Sequence, residues 1–213
     1  MVRGGIAVRW LALVFGLAFF ALGVVLLLES KLGLSPWDVL AQGIARHTPL
    51  SFGNAIVATG LVVIVVAWRL GQRIGPGTLA NAILIGFFVD AFVRFDRLER
   101  LAHEPLAWRV VWLIVGVLVI GVASAVYIGA ALGAGPRDSL MLVVSRRSGV
   151  RVGMVRMAIE SVATVAGFLL GGKVGIGTLA FAVGIGPAVE ASFWLLARSP
   201  ASVPVTPSTI EAA

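Results

Sequence analysis

Long apolar runs alternate along this chain with short polar segments rich in Gly and Pro. An apolar run of about 18 residues or more is long enough to cross a bilayer core as a helix. The pattern predicts six spanning helices, at roughly 10–30, 51–69, 77–93, 109–131, 152–170 and 177–197. Trp10, Trp68, Trp108, Trp112 and Trp194 fall near the ends of these runs, where indole rings anchor a helix at the interface. The segment "RFDRLERLAHEPLAWR" reads as a solvated connector between the third and fourth spans. The tail after Arg198, rich in Pro, Ser and Thr, reads as disordered.

The blocks repeat. A shift of 100 residues superposes Gly33, Pro36, Asp38, Leu40, Arg46 and Gly53 on Gly133, Pro136, Asp138, Leu140, Arg146 and Gly153. The same shift carries "GPGTLANAILIG" onto "GIGTLAFAVGIG", Arg9 onto Arg109 and Asp90 onto Glu190. A constant offset through so many Gly, Pro and Asp positions indicates duplication. Each copy holds three spans, an odd number, so matching helices must cross in opposite directions. The expected fold is an all-α membrane protein of six transmembrane helices in two inverted three-helix repeats, with a short helix after the first span of each. The expected units are residues 1–100, 101–198 and the tail 199–213.

Composition narrows the class. The chain is 59% hydrophobic and 13% charged, outside the range of soluble domains. Its net charge of +7 would suggest nucleic acid in a soluble protein. Here the basic residues lie mostly between apolar runs, so they are expected to set topology, and no nucleic-acid partner is expected. Arg3, Arg9, Arg69, Arg73, Arg137, Arg146, Arg147, Arg151, Arg156 and Arg198 fall on the side of the N-terminus, and fewer basic residues on the other. That balance favours a cytoplasmic N-terminus. Arg3 and Arg9 before a long apolar run resemble a secretory signal. The run is too long for a signal core, however, and reads as a retained first helix. There is no cysteine, which excludes disulfides and thiol chemistry.

Two repeated motifs open helices. In "GLSPWDVL", Ser35 suits an N-cap, Pro36 the first helical position and Asp38 the third, near the positive helix end. In "GAGPRDSL", Gly135 replaces the serine while Pro136 and Asp138 keep their places. Capping alone explains this pattern. The functional alternative is a pair of re-entrant helices lining a path, tolerated where protein or water covers their backbone. On that reading Asp38 and Asp138 bear on a solute, with Arg46 and Arg146, two turns on, as their partners. The second motif, Gly75, Gly77 and Thr78 with Gly175, Gly177 and Thr178, opens the third and sixth spans. Close helix packing is its first reading, and a substrate-facing helix end its second.

Ionisable residues within spans are costly and mark functional candidates. Asp90 and Glu190 match each other, whereas Arg156 and Glu160, four apart, have Ile56 and Gly60 as counterparts and suit a local pair. Asn54 and Asn81 can bridge helices or meet a solute. His47 and His103 lack metal-ligand spacing, and no Ser-His arrangement is visible. The expectation is a protein without enzymatic activity, metal or cofactor.

At "GLSPWDVLAQGIARHTPLSFG" and "GIGTLAFAVGIGPAVE", with their echoes "GAGPRDSLMLVVSRRSGVRVG" and "GPGTLANAILIG", the chain resembles the YczE/YyaS/YitT group of bacterial integral membrane proteins, its YczE-like members above all. The likeness covers roughly residues 10–197 and implies a multi-pass protein of the bacterial inner membrane, but carries no defined ligand residues. The leading expectation is a transporter of a small solute or ion embedded in the lipid bilayer. The alternatives are a noncatalytic accessory protein acting through a membrane protein partner or homo-oligomer, and the substrate-binding subunit of a vitamin transporter.

Overall fold

The computed structural model describes residues 5–94 and 99–198. The expectation of a disordered tail concerns residues outside that range. The described chain forms eight α-helices, joined midway by a short 3-10 helix, Glu99–His103. In order they are α1 (Ile6–Ser30), α2 (Pro36–His47), α3 (Phe52–Arg69), α4 (Pro76–Val93), α5 (Leu106–Gly129), α6 (Pro136–Ser148), α7 (Val152–Leu169) and α8 (Ile176–Arg198). Six of them, all but α2 and α6, are long and apolar enough to span a bilayer. This is an all-α, multi-pass membrane protein.

The local sequence explains the breaks. After α1 the chain reverses through Lys31 in the left-handed region and Gly33 at φ 132°. After α5 it reverses through Ala131 and Gly133, at φ 129°. A side chain at position 33 or 133 would be strained, hence glycine in both. Pro36 and Pro136 then start α2 and α6, where a missing N–H costs nothing. Ser35 caps α2 by accepting the Asp38 N–H at 3.4 Å. Gly135 gives α6 no side-chain cap.

Helices α1 and α5 form the central pair, and contacts at both ends show that they run antiparallel. Arg9, on the first turn of α1, donates through Nε to the Ala130 carbonyl at 2.6 Å, just past the end of α5. Arg109, on the first turn of α5, donates to the Ser30 carbonyl at 2.8 Å, at the end of α1. The same doubling recurs elsewhere. Gly77 N–H meets the Leu132 carbonyl and Gly177 N–H meets the Leu32 carbonyl, each at 2.8 Å. Around the central pair α1 packs on α4 as α5 packs on α8, and α2 packs on α7 as α3 packs on α6.

One extensive pairing is not doubled. Helix α3 packs along α4, but α7 and α8 make no comparable contact. Of the most apolar stretch of each helix, 33% of α3 and 39% of α4 is buried, against 17% of both α7 and α8.

Candidate functional site: a central polar cavity

Helices α2 and α6 point their N-termini at each other and their C-termini apart. Asp38, in the first turn of α2, accepts from Arg137, in the first turn of α6, at 3.3 Å. At the far ends Arg46 donates to the Gly171 carbonyl in the α7–α8 turn, and Arg146 donates to Gln72 in the α3–α4 turn. The chain reversals after α1 and α5 thus send both short helices outward from the middle of the bundle. The expected partnership of Arg46 with Asp38, and of Arg146 with Asp138, is corrected here. Eight residues along a helix is about 12 Å, so each arginine lies at the opposite helix end from its aspartate.

Between these N-termini lies a cavity of about 150 Å³. Its polar lining is Ser35, Asn81, Ser124, Tyr127, Arg137, Asp138, Arg156 and Glu160, with Thr59 on α3. Its apolar walls include Phe20, Trp37, Ile120 and Phe181. Phe20 lies mid-way along α1, so the cavity sits within the span rather than at its ends. That volume holds several waters or a small solute.

The two aspartates differ in this setting. Asp38 is 2% exposed and receives both the Ser35 hydroxyl and Arg137, so its charge is buried and matched. Arg137 also lies over the Trp37 ring, 5.4 Å from its centroid. Asp138 lines the cavity, and among the described residues its carboxylate has no ion pair. Neither partner of Asp38 has a counterpart here: Trp37 stands where Arg137 would match the charge, and Gly135 brings no hydroxyl. A Cβ on Gly135 would lie 3.1 Å from Asp138 Oδ2, 3.5 Å from the Tyr127 hydroxyl and 3.6 Å from Asn81 Nδ2. Three polar groups thus converge on a gap that glycine leaves. Trp37 adds a buried indole N–H without a partner among the described residues.

The remaining sequence candidates divide. Arg156 and Glu160 both line the cavity and pair at 2.9 Å. Asp90 is outside it, holding the start of α3: its carboxylate accepts the Gly53 N–H at 2.8 Å and the Ser51 hydroxyl. Glu190 is exposed on α8. Thr78 donates to the Ala134 carbonyl at 2.6 Å, and Thr178 Oγ1 accepts the Gly175 N–H at 3.3 Å, so both serve helix starts and joints. Gly75, Gly77, Gly175 and Gly177 pack against the backbone of the 32–33 and 132–133 turns, where a Cβ would overlap. Asn81 reaches the cavity, whereas Asn54 is exposed outside it. Sequence reasoning missed Trp37, Ser124, Tyr127 and Arg137. The available signal was Trp37 matching Arg137 at the repeat offset, inside a motif already in view.

A family model described as a family of unknown function, DUF6198, matches residues 7–192. The chain belongs to this family. It is 36% identical over 190 residues to an uncharacterized protein of Haemophilus influenzae, covering 88% of this chain and 84% of that one. It is 34% identical to the uncharacterized membrane protein YczE of Bacillus subtilis, covering 84% and 82%, and 25% identical to YyaS of the same organism, covering 77% and 82%. The expected YczE-like resemblance is therefore correct, and the name of the YczE relative agrees with the six apolar helices in indicating a membrane protein. No solved structure matches.

Proposed function

We propose that this protein is a transporter of the bacterial inner membrane, built from two inverted three-helix repeats, that carries a small solute or ion through the central cavity. The single observation behind this reading is the convergence of two broken-helix N-termini on a polar cavity within the span. Half-helices of this kind present backbone N–H groups and fixed charges to a solute at the midplane. Asp138 is the group that meets the solute or its coupling ion, because Asp38 is already neutralised. Arg156 and Glu160 provide a matched charge pair beside it. No catalytic role is assigned to these groups.

The N-terminus is taken as cytoplasmic. The unpacked gap between the start of α7 and the end of α8 then faces the cytoplasm, and the packed α3–α4 seam faces outward. The reading is tested by solute flux in proteoliposomes. Asp138→Asn is expected to lower flux at least tenfold with normal insertion, since it removes the carboxylate charge facing the solute. Unchanged flux in that variant removes Asp138 from the path. Absence of any flux, with stoichiometric co-purification of one membrane protein, favours an accessory role instead.

A further inference from the structure

The asymmetry between the two halves is local and has a matched set of residues on each side. On the packed side, a Cβ on Gly53 would overlap the Gly86 carbonyl and the Asp90 carboxylate, and one on Gly86 would overlap the Gly53 carbonyl and Val57. Asp90 then ties the seam by accepting from Gly53 N–H and Ser51. On the other side the counterparts are Gly153, Gly186 and Glu190, with Arg151 in the place of Ser51. Among the described residues, nothing lies within 4 Å of a Cβ on Gly153 or on Gly186. Arg151 caps α7 through its carbonyl alone, which accepts the Met154 and Val155 N–H groups; its side chain accepts none, and Gly153 N–H gains no side-chain partner from it. The two glycines and the acidic residue of the α3–α4 seam thus have counterparts between α7 and α8, unassembled, with Arg151 in the place of the serine.

The unassembled side also carries a hinge. Pro187 sits inside α8 directly after Gly186, whereas Phe87 holds that place in α4. Proline removes one backbone hydrogen bond and permits bending at this point. Glu190 lies on the far side of it.

We infer that α7 and α8 close on each other in a second state, with Gly153 against Gly186 and Glu190 docked on the α7 N-terminus. There the Glu190 carboxylate accepts the Gly153 N–H, as Asp90 accepts the Gly53 N–H, and pairs with Arg151 in place of the Ser51 hydroxyl. Carboxylates are favoured at a helix N-terminus, and the added guanidinium strengthens the contact. Position 160 carries Glu where 60 carries Gly, so α7 closes at its N-terminal end while Glu160 stays turned into the cavity it already lines. Closure of this seam seals the cavity on the N-terminal side. This deepens the transport reading, and its test below does not depend on flux.

The chain has no cysteine, so paired cysteines can be introduced without background. Val57 and Ile83 flank one groove on the α3–α4 seam, and their counterparts Met157 and Val183 are 70% and 69% exposed. The variant Met157→Cys/Val183→Cys, in proteoliposomes with a short thiol-specific crosslinker, is expected to give an intramolecular crosslink. Adding Glu190→Gln is expected to slow it roughly tenfold, the effect of losing one charge-assisted hydrogen bond on a two-state population. Adding Glu190→Asp is expected to restore part of the rate, and adding Asp90→Asn, which weakens the opposite seam, to raise it. Three results overturn the inference: no crosslink, a crosslink only between two chains, or a rate indifferent to Glu190. An intact intramolecular crosslink without any measurable flux keeps the closure and overturns transport alone.

Discussion

Asp38 and Asp138 stand third in matching helices, yet one is sealed into an ion pair and the other faces a cavity. The difference comes down to two positions: Arg137 matches Asp38 where its counterpart Trp37 carries no charge for Asp138, and serine stands three places before one aspartate and glycine before the other. Removing Arg137 leaves the Asp38 carboxylate buried with only a hydroxyl partner. A fully buried pair loses about 3–5 kcal/mol in this way, and Arg137 is 29% exposed, so Arg137→Ala is expected to cost about 2 kcal/mol. Thermal unfolding in detergent measures this. Asp38→Asn added to it should recover part of the loss, because a neutral amide needs no counter-charge. Gly135→Ser tests the same cause from the other side. The new hydroxyl should engage Asp138, as Ser35 engages Asp38, and reduce flux with little change in melting temperature. The aspartates and their helix starts were legible in the sequence, since Pro and Asp at fixed spacing state a helix start locally. Their ionic partner was not. Arg137 comes from the other half of the chain, and an i, i+8 stripe on one helix pointed to Arg46 instead.

At the scale of helices, glycine decides which surfaces can meet. Gly53→Ala puts a methyl group into the Gly86 carbonyl, and overpacking of this kind costs about 1–3 kcal/mol. Gly153→Ala adds a methyl group to open space, so its melting temperature is expected to match the wild type. A flux assay then separates the two: Gly153→Ala should slow transport without unfolding, because closure requires the space that the open state leaves free. Equal melting losses in the two variants would show that both seams are packed. The six spans were readable from apolar length alone, within a few residues at each end. The unequal seams were not, because both halves carry the same Gly positions, and the exchanges around them, such as Phe87 for Pro187, do not state which pair has come together.

At the scale of the whole molecule, the open gap and the closed seam give the cavity a direction. Ser124 lines the cavity on the central helix α5. In the described state, Ser124→Cys is expected to react with a membrane-impermeant maleimide from the side of the N-terminus and to be protected from the other. Equal labelling from both sides would point to a channel rather than an alternating path. Right-side-out and inverted vesicles from the same cells also report the orientation, which positive residues favour only modestly.

The arginines at the two ends of the central pair have a consequence for how such a chain originates. Arg9 satisfies a carbonyl just beyond α5, and Arg109 satisfies one at the end of α1. Neither half completes its own helix ends; each borrows a guanidinium from the other. A gene encoding a single half would meet the same need by inserting in both orientations and pairing with an upside-down copy of itself, residue 9 of each subunit serving residue 30 of its mate. Fusion would then fix the ratio of the two orientations and free the copies to diverge, one keeping serine before its aspartate and the other glycine. Expressing residues 1–103 and 104–213 as separate chains should accordingly yield a complex that co-purifies, with either fragment alone poorly inserted.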